Sequence, residues 1–151
     1  SLAWAIGQKH ILKILDPCAV NVNFELLDVA RGGDSGCLSL CLELNANVNS
    51  SFGETRDTPL MLAAQRQDFS QSLPVITLLL ESGADIHRRN KQGQTALLCA
   101  ARAGRVDAFR ALVEAGADAT VCDSSGRNAL MLFAACGGVD GIKAISGLFG
   151  G

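Results

Sequence analysis

A chain of 151 residues is the size of one domain and can bury roughly 68–70% of its unfolded surface. Apolar residues make up 48%, yet the longest uninterrupted apolar run, residues 129–136, falls far short of the roughly 20 that a membrane-spanning helix needs. A formal net charge of −2, aromatic residues at 5% and no Tyr remove the basic surface and stacking rings by which nucleic acid or an anionic membrane is bound.

The chain opens with a degenerate helical pair. Leu2-Ala3-Trp4-Ala5 and Ile11-Leu12-Lys13-Ile14-Leu15 carry helical apolar spacing, and Asp16-Pro17 ends the second, because proline drives the residue before it out of the helical region. Residues 1–7 lack the basic segment and cleavage site of a secretory leader. Next comes Ala19-Val20-Asn21-Val22-Asn23, a phrase that returns as Asn45-Ala46-Asn47-Val48-Asn49, Gly83-Ala84-Asp85-Ile86-His87 and Gly116-Ala117-Asp118-Ala119-Thr120. The last two copies stand 33 residues apart, the second and third 38, and the first and second 26 or 27. The short interval leaves almost no room for an extended hairpin, so a tight turn is expected there. The five extra residues of the long interval divide into one in the loop 50–57 and four in a turn inserted between two helices within 65–74.

Residues 83–118 hold one complete unit. Thr95 is placed to accept from the free amides of a helix start, the apolar residues after it keep helical spacing, and Gly104 stops that helix. A second helix carries Val106, Phe109, Leu112 and Val113 on one stripe, with Asp107 in the first turn and Gly116 at the end. The pattern restarts at Gly126, 33 residues after Gly93, then weakens as Gly137, Gly138, Gly141 and Gly147 interrupt it. Two apolar columns run through the units: Leu38, Ile76, Phe109 and Ile142, and Cys41, Leu79, Leu112 and Ile145. No helical pair can bury such a stripe alone, so neighbours must cover it. The expectation is one domain over 1–151 with approximate units 1–23, 24–49, 50–87, 88–120 and 121–151.

The phrase Thr58-Pro59-Leu60-Met61-Leu62-Ala63-Ala64 and the close Leu78-Leu79-Leu80-Glu81-Ser82-Gly83-Ala84-Asp85-Ile86 resemble the opening and end of the ankyrin repeat unit. Combined with the 33-residue period, the match is one of phase and residue type. The resemblance implies an all-α solenoid of about five stacked helical pairs with short β-hairpin loops, its terminal repeats degenerate. It further implies a non-catalytic protein-protein interaction module that presents a concave surface and hairpin tips to a protein partner. The competing reading is a targeting or regulatory segment of a larger enzyme or channel whose active part lies outside these residues. The expected setting is intracellular, cytoplasmic or nuclear, or the interior of a host cell if the protein is secreted as an effector.

Residue types that carry chemistry are present without the partners that chemistry requires. The six cysteines, at 18, 37, 41, 99, 122 and 136, include an i, i+4 pair on one helix face and one in the Ala-rich helix after Thr95, where reduced thiols act as small core residues. With no Cys-x-x-Cys and only His10 and His87, no zinc site is expected. Gly33-Asp34-Ser35-Gly36 matches the phrase around a serine-protease nucleophile, but only His10 precedes it and its place is a turn between helices. Gly32-Gly33 and Gly137-Gly138 follow no strand and lack the Gly-Lys-Ser/Thr ending of a phosphate loop. His87 takes the place of a polar turn residue. No catalytic residue, cofactor or metal is expected.

His87-Arg88-Arg89-Asn90-Lys91 is the concentrated basic run. Its plain reading is a solvated loop; its functional reading is a contact patch. In an ankyrin-like stack Arg88, Arg89, Lys91, Gln92 and Gln94 fall on one hairpin and Ser124, Ser125 and Arg127 on the next. Gln65, Arg66 and Arg102 would line the concave ends of the first helices. A local excess of Arg in a slightly acidic chain suits an acidic or carboxylate-bearing protein partner, with no nucleic acid, no membrane and a monomer in isolation. Charge reversal at Arg88 and Arg89 is expected to leave the melting temperature unchanged, since exposed charges contribute little to folding. Leu112→Ala, by contrast, is expected to destabilise by roughly 2–5 kcal/mol, read by chemical denaturation, because Leu112 sits between Leu79 and Ile145 in its column.

Overall fold

The computed structural model describes Leu26 and residues 29–32, 35–43, 46–51, 53–66, 69–136 and 139–149. The degenerate pair expected in 1–23 lies outside them. Among the described residues the regular structure is helical: α1 Ser35–Glu43, α2 Pro59–Ala64, α3 Phe69–Glu81, α4 Ala96–Arg102, α5 Val106–Glu114, α6 Ala129–Ala135 and α7 Val139–Phe149. Leu26 and 29–32 are helical as well. An antiparallel bridge joins Cys122 to Asn128, and no strand is formed among the described residues.

Three of the helices start by the same device. Thr58, Thr95 and Asn128 stand in extended backbone, and their side-chain oxygens accept the amides of Met61 (3.4 Å), Leu98 (3.4 Å) and Met131 (2.9 Å). Pro59 follows in the first helical position of α2, where its missing amide costs nothing. The ends of α3 and α5 are equally regular. Gly83 (φ +92°) and Gly116 (φ +101°) take the left-handed conformation, and the next amides, of Ala84 and Ala117, reach back to the carbonyls of Leu79 and Leu112 at 3.0 Å.

Helices α2, α4 and α6 pack side by side in one layer, and α1, α3, α5 and α7 form a second. The layers are tied by α2 on α3, α4 on α5 and α6 on α7. Both expected columns are present. Leu38, Ile76 and Phe109 are fully buried with Ile142 packed against them, and Cys41, Leu79, Leu112 and Ile145 are all buried. Ala63, Ala64, Ala100 and Ala101, each 0% exposed, let the first helices approach closely.

The last pair redistributes volume. Where the preceding units carry Ala63 and Ala100, α6 carries Phe133, whose ring meets Phe109 edge-to-face at 5.2 Å and 73°. Where they carry Val75 and Ala108, α7 carries Gly141, and a Cβ there would run into the Phe133 ring. Gly141 is therefore the complement of an oversized neighbour rather than a weakening of the repeat.

The turn expected within 65–74 is corrected by the structure. Helix α3 has 13 residues against nine in α5, so residues 69–72 lengthen the helix at its N-terminus. Pro74 matches Asp107 of α5, a first-turn position where a missing amide is harmless. The extension places Pro74 inside α3, and its side chain faces solvent.

Gly141→Ala should destabilise by about 1–3 kcal/mol through overpacking against Phe133. In a Phe133→Ala background, which restores the alanine pair of the interior unit, the same change should carry no penalty. A urea double-mutant cycle reads the coupling.

Candidate functional site

The candidate site is built on the loops that lead into the first helices. Asn90 Oδ1 accepts the amides of Gln92 and Gln94, both at 3.0 Å, while the Asn90 amide donates to the Gln94 carbonyl at 3.0 Å. Thirty-three residues on, Asp123 repeats the arrangement: Oδ1 accepts from Ser125 (2.9 Å) and Arg127 (3.0 Å), and the Asp123 amide donates to the Arg127 carbonyl at 3.0 Å. The turn residue two before each helix cap is left-handed, Gly93 at φ +73° and Gly126 at +78°. In the preceding loop that place is held by Arg56 at +56°, a conformation that costs a branched-chain-free L-residue roughly 1–2 kcal/mol.

These loops are bonded to one another. The Lys91 amide donates to the Thr55 carbonyl (2.9 Å) and the Ser124 amide to the Gln92 carbonyl (3.0 Å), the same contact one unit later. Asn90 Nδ2 donates to Asp57 Oδ1 at 2.8 Å. Arg89 Nη1 donates to the carbonyls of Gly93 (3.0 Å) and Cys122 (2.8 Å), bridging its own loop and the next. A Cβ on Gly93 would meet the Ser124 amide nitrogen at 2.8 Å, so the tips touch.

Arg88, Lys91, Gln92, Ser124 and Ser125 are exposed on these loops, and the Ser124 amide bond to the Gln92 carbonyl brings the two loops together. Arg102 is exposed, and its Nη2 donates to Gln65 Oε1 at 3.0 Å, joining the C-terminal ends of α2 and α4 with Gln65 half-buried. Arg127 is half-exposed, but its Nε and Nη2 both lie 3.0 Å from Asp123 Oδ2, which neutralises its charge internally. Three sequence expectations change. Gln94 is 1% exposed and Arg66 5%, so neither side chain is available to a partner. Arg89 is exposed yet acts as a strut, so its reversal cannot be neutral to stability as expected for a tip charge.

The sequence reasoning passed over Asn90, Asp57 and Asp123, which shape the loops. The 33-residue spacing of Asn90 and Asp123 was the available signal, since each oxygen organises the same two amides.

The Arg127 amide holds the Asp123 carboxyl below its usual range; the Ser125 amide and the Arg127 guanidinium add to this. The Thr120 hydroxyl and amide do the same for Asp118. Burial, followed by the Asp57 charge, pushes the Cys99 thiol up to about 12, which leaves it un-ionised and a poor nucleophile. Cys41, Cys99, Cys122 and Cys136 are free thiols; Cys18 and the side chain of Cys37 lie outside what the structure describes. Among the described residues no three His, Cys, Asp or Glu side chains are grouped to hold a metal. What the arrangement offers is a ridge of bonded loops with Arg88, Lys91 and Gln92 projecting from it.

A family profile described as ankyrin repeats, in three copies, matches residues 69–147. The chain is 39% identical over 89 residues to a probable E3 ubiquitin-protein ligase, XBOS33, of Oryza sativa subsp. japonica, covering 58% of this chain and 16% of that protein. It is 41% identical over 71 residues to ankyrin repeat and SOCS box protein 11 of Homo sapiens (47% and 20%), and 32% over 103 residues to ankyrin repeat domain-containing protein 63 of Mus musculus (68% and 26%). The matched region thus spans about a sixth to a quarter of these relatives' length.

Arg89→Gln should lower stability by about 1 kcal/mol, since a charge-assisted bridge between two loops is lost, whereas Arg88→Gln should be neutral; thermal and urea unfolding separate them. Because the folded-state value of Asp123 is depressed, the stability it contributes is complete above about pH 4 and is lost as the pH falls through the lowered value. Asp123→Asn, which installs the residue found at Asn90, should keep the amide acceptor and flatten that acid limb in a plot of melting temperature against pH.

Proposed function

The chain belongs to the ankyrin repeat family, and from that premise we propose that it is a non-catalytic protein-interaction module whose partner docks on the loop ridge beside the α2–α4–α6 layer. The observation that carries this reading is that Arg88, Lys91, Gln92, Ser124 and Ser125 are exposed on loops held in register by main-chain bonds between neighbours. Side chains mounted on a pre-organised backbone lose less entropy on association than those on a free loop. The five units proposed above act as one domain, monomeric and intracellular, and the partner surface is acidic or carboxylate-bearing. Arg88 is the forked donor suited to a carboxylate, Lys91 extends the positive ridge, and Arg102 adds an exposed guanidinium at the far, C-terminal end of α4.

A second reading has its own support. The matched stretch is 16% of a relative named as a probable E3 ubiquitin-protein ligase and 20% of one named for a SOCS box. On that reading these residues select or position a protein for an activity located in another part of a longer polypeptide.

Affinity capture with crosslinking mass spectrometry supplies the partner and the contact residues. Arg88→Glu/Lys91→Glu should then weaken binding at least about tenfold and flatten its salt dependence, with folding unchanged. Unchanged affinity would move the interface off this ridge. Capture by a longer product of the gene, but not by this chain, would favour the second reading.

A further inference from the structure

We propose that the outer face of α6, formed by Leu130, Met131 and Ala134, is a docking surface for one more helical pair of the same repeat type, stacked in register on the chain. The apolar face lies off the loop ridge and meets it only at Ser125, and the proposal does not depend on the function proposed for the ridge.

The repeat itself shows what belongs there. Leu60, Met61 and Ala64 of α2 are 1%, 1% and 0% exposed, and Leu97, Leu98 and Ala101 of α4 are all 0% exposed. The same three places in α6 are Leu130 at 43%, Met131 at 53% and an exposed Ala134. Val139, which opens α7, is 60% exposed, whereas its counterpart Val106 packs against the core. A terminal repeat that closes a stack carries a polar outer face. Helix α6 carries no charged residue at all.

The occupant follows from the two interfaces already formed. What covers α4 is α6, which turns Ala129, Leu132 and Phe133 into the core and brings Cys136 Sγ, donating at 3.8 Å, to the Ala101 carbonyl. The loops advance in step, because Lys91 donates to the Thr55 carbonyl and Ser124 to the Gln92 carbonyl. The next acceptor in this series, 33 residues after Gln92, is the Ser125 carbonyl. A further repeat supplies both halves: a helix with a small residue first and apolar residues three and four places on, and a loop amide aimed at Ser125. A flat apolar surface or a lipid supplies no amide in that register. A second copy docked through this face alone would cover three or four side chains, far less than the roughly 800 Å² per partner of a stable interface.

The test appends a second copy of the interior unit, residues 88–120, after the 151-residue chain through a linker of two residues that restores the 33-residue register. A control carries the same extension with Cys99→Glu and Ala100→Lys in the added unit. The matched extension should slow hydrogen exchange of the 129–135 amides at least about tenfold relative to the control and raise the melting temperature. Met131→Glu should leave the unextended chain's melting temperature unchanged and abolish the protection in the extended one. Equal protection by matched and control extensions would overturn the proposal. So would concentration-dependent dimerisation of the unextended chain that Met131→Glu abolishes, since the face would then belong to a second copy.

Discussion

Helices α2, α4 and α6 have six or seven residues, well below the length at which a helix is stable in water. Each therefore exists because its neighbours remove its apolar face from solvent. That dependence explains why alanines recur where α2 meets α4 and why Leu97 and Leu98 are wholly buried between their neighbours. A stack ruled by nearest neighbours has no central core to defend; it has a continuous one that each unit extends.

The same nearest-neighbour logic reaches the loops. Asn90 and Asp123 shape their own turns with one side-chain oxygen, and the amides of Lys91 and Ser124 tie each turn to the one before. The ridge that results is ordered by hydrogen bonds among largely buried polar groups, with Asn90 at 7%, Gln94 at 1% and Asp123 at 7% exposure. Polar groups already engaged in those bonds are poor candidates for partner contact, which divides Arg89 and Arg127 from Arg88 and Lys91 although all four are basic and lie on these loops. The positive charge left for a partner is accordingly smaller than the composition of the loops suggests.

Compensation appears where the repeat departs from its own pattern. Phe133 and Gly141 exchange volume between α6 and α7, and Pro74 became internal to α3 only because four residues were added in front of it. Arg56 holds a left-handed turn place that glycine holds in the next two units. These departures change local geometry while leaving the two-layer arrangement intact, since each is answered within one or two units.

The fold was legible in the chain because a repeat states its rules several times. The 33-residue return of Gly93 and Gly126, the cap at Thr95 and the two apolar columns follow from helix periodicity and capping chemistry, which are local. The exposure of Arg88, Lys91, Gln92, Ser124 and Ser125 followed from their place in the loops of that repeat. What the sequence left open depends on which groups meet across units. That Arg89 braces two loops, that Gln94 and Arg66 are buried, and that Leu130 and Met131 stand uncovered are all set by what neighbouring units do or do not bring against them. A side chain's environment at such places is decided by its neighbour's backbone, and no spacing within one unit encodes that.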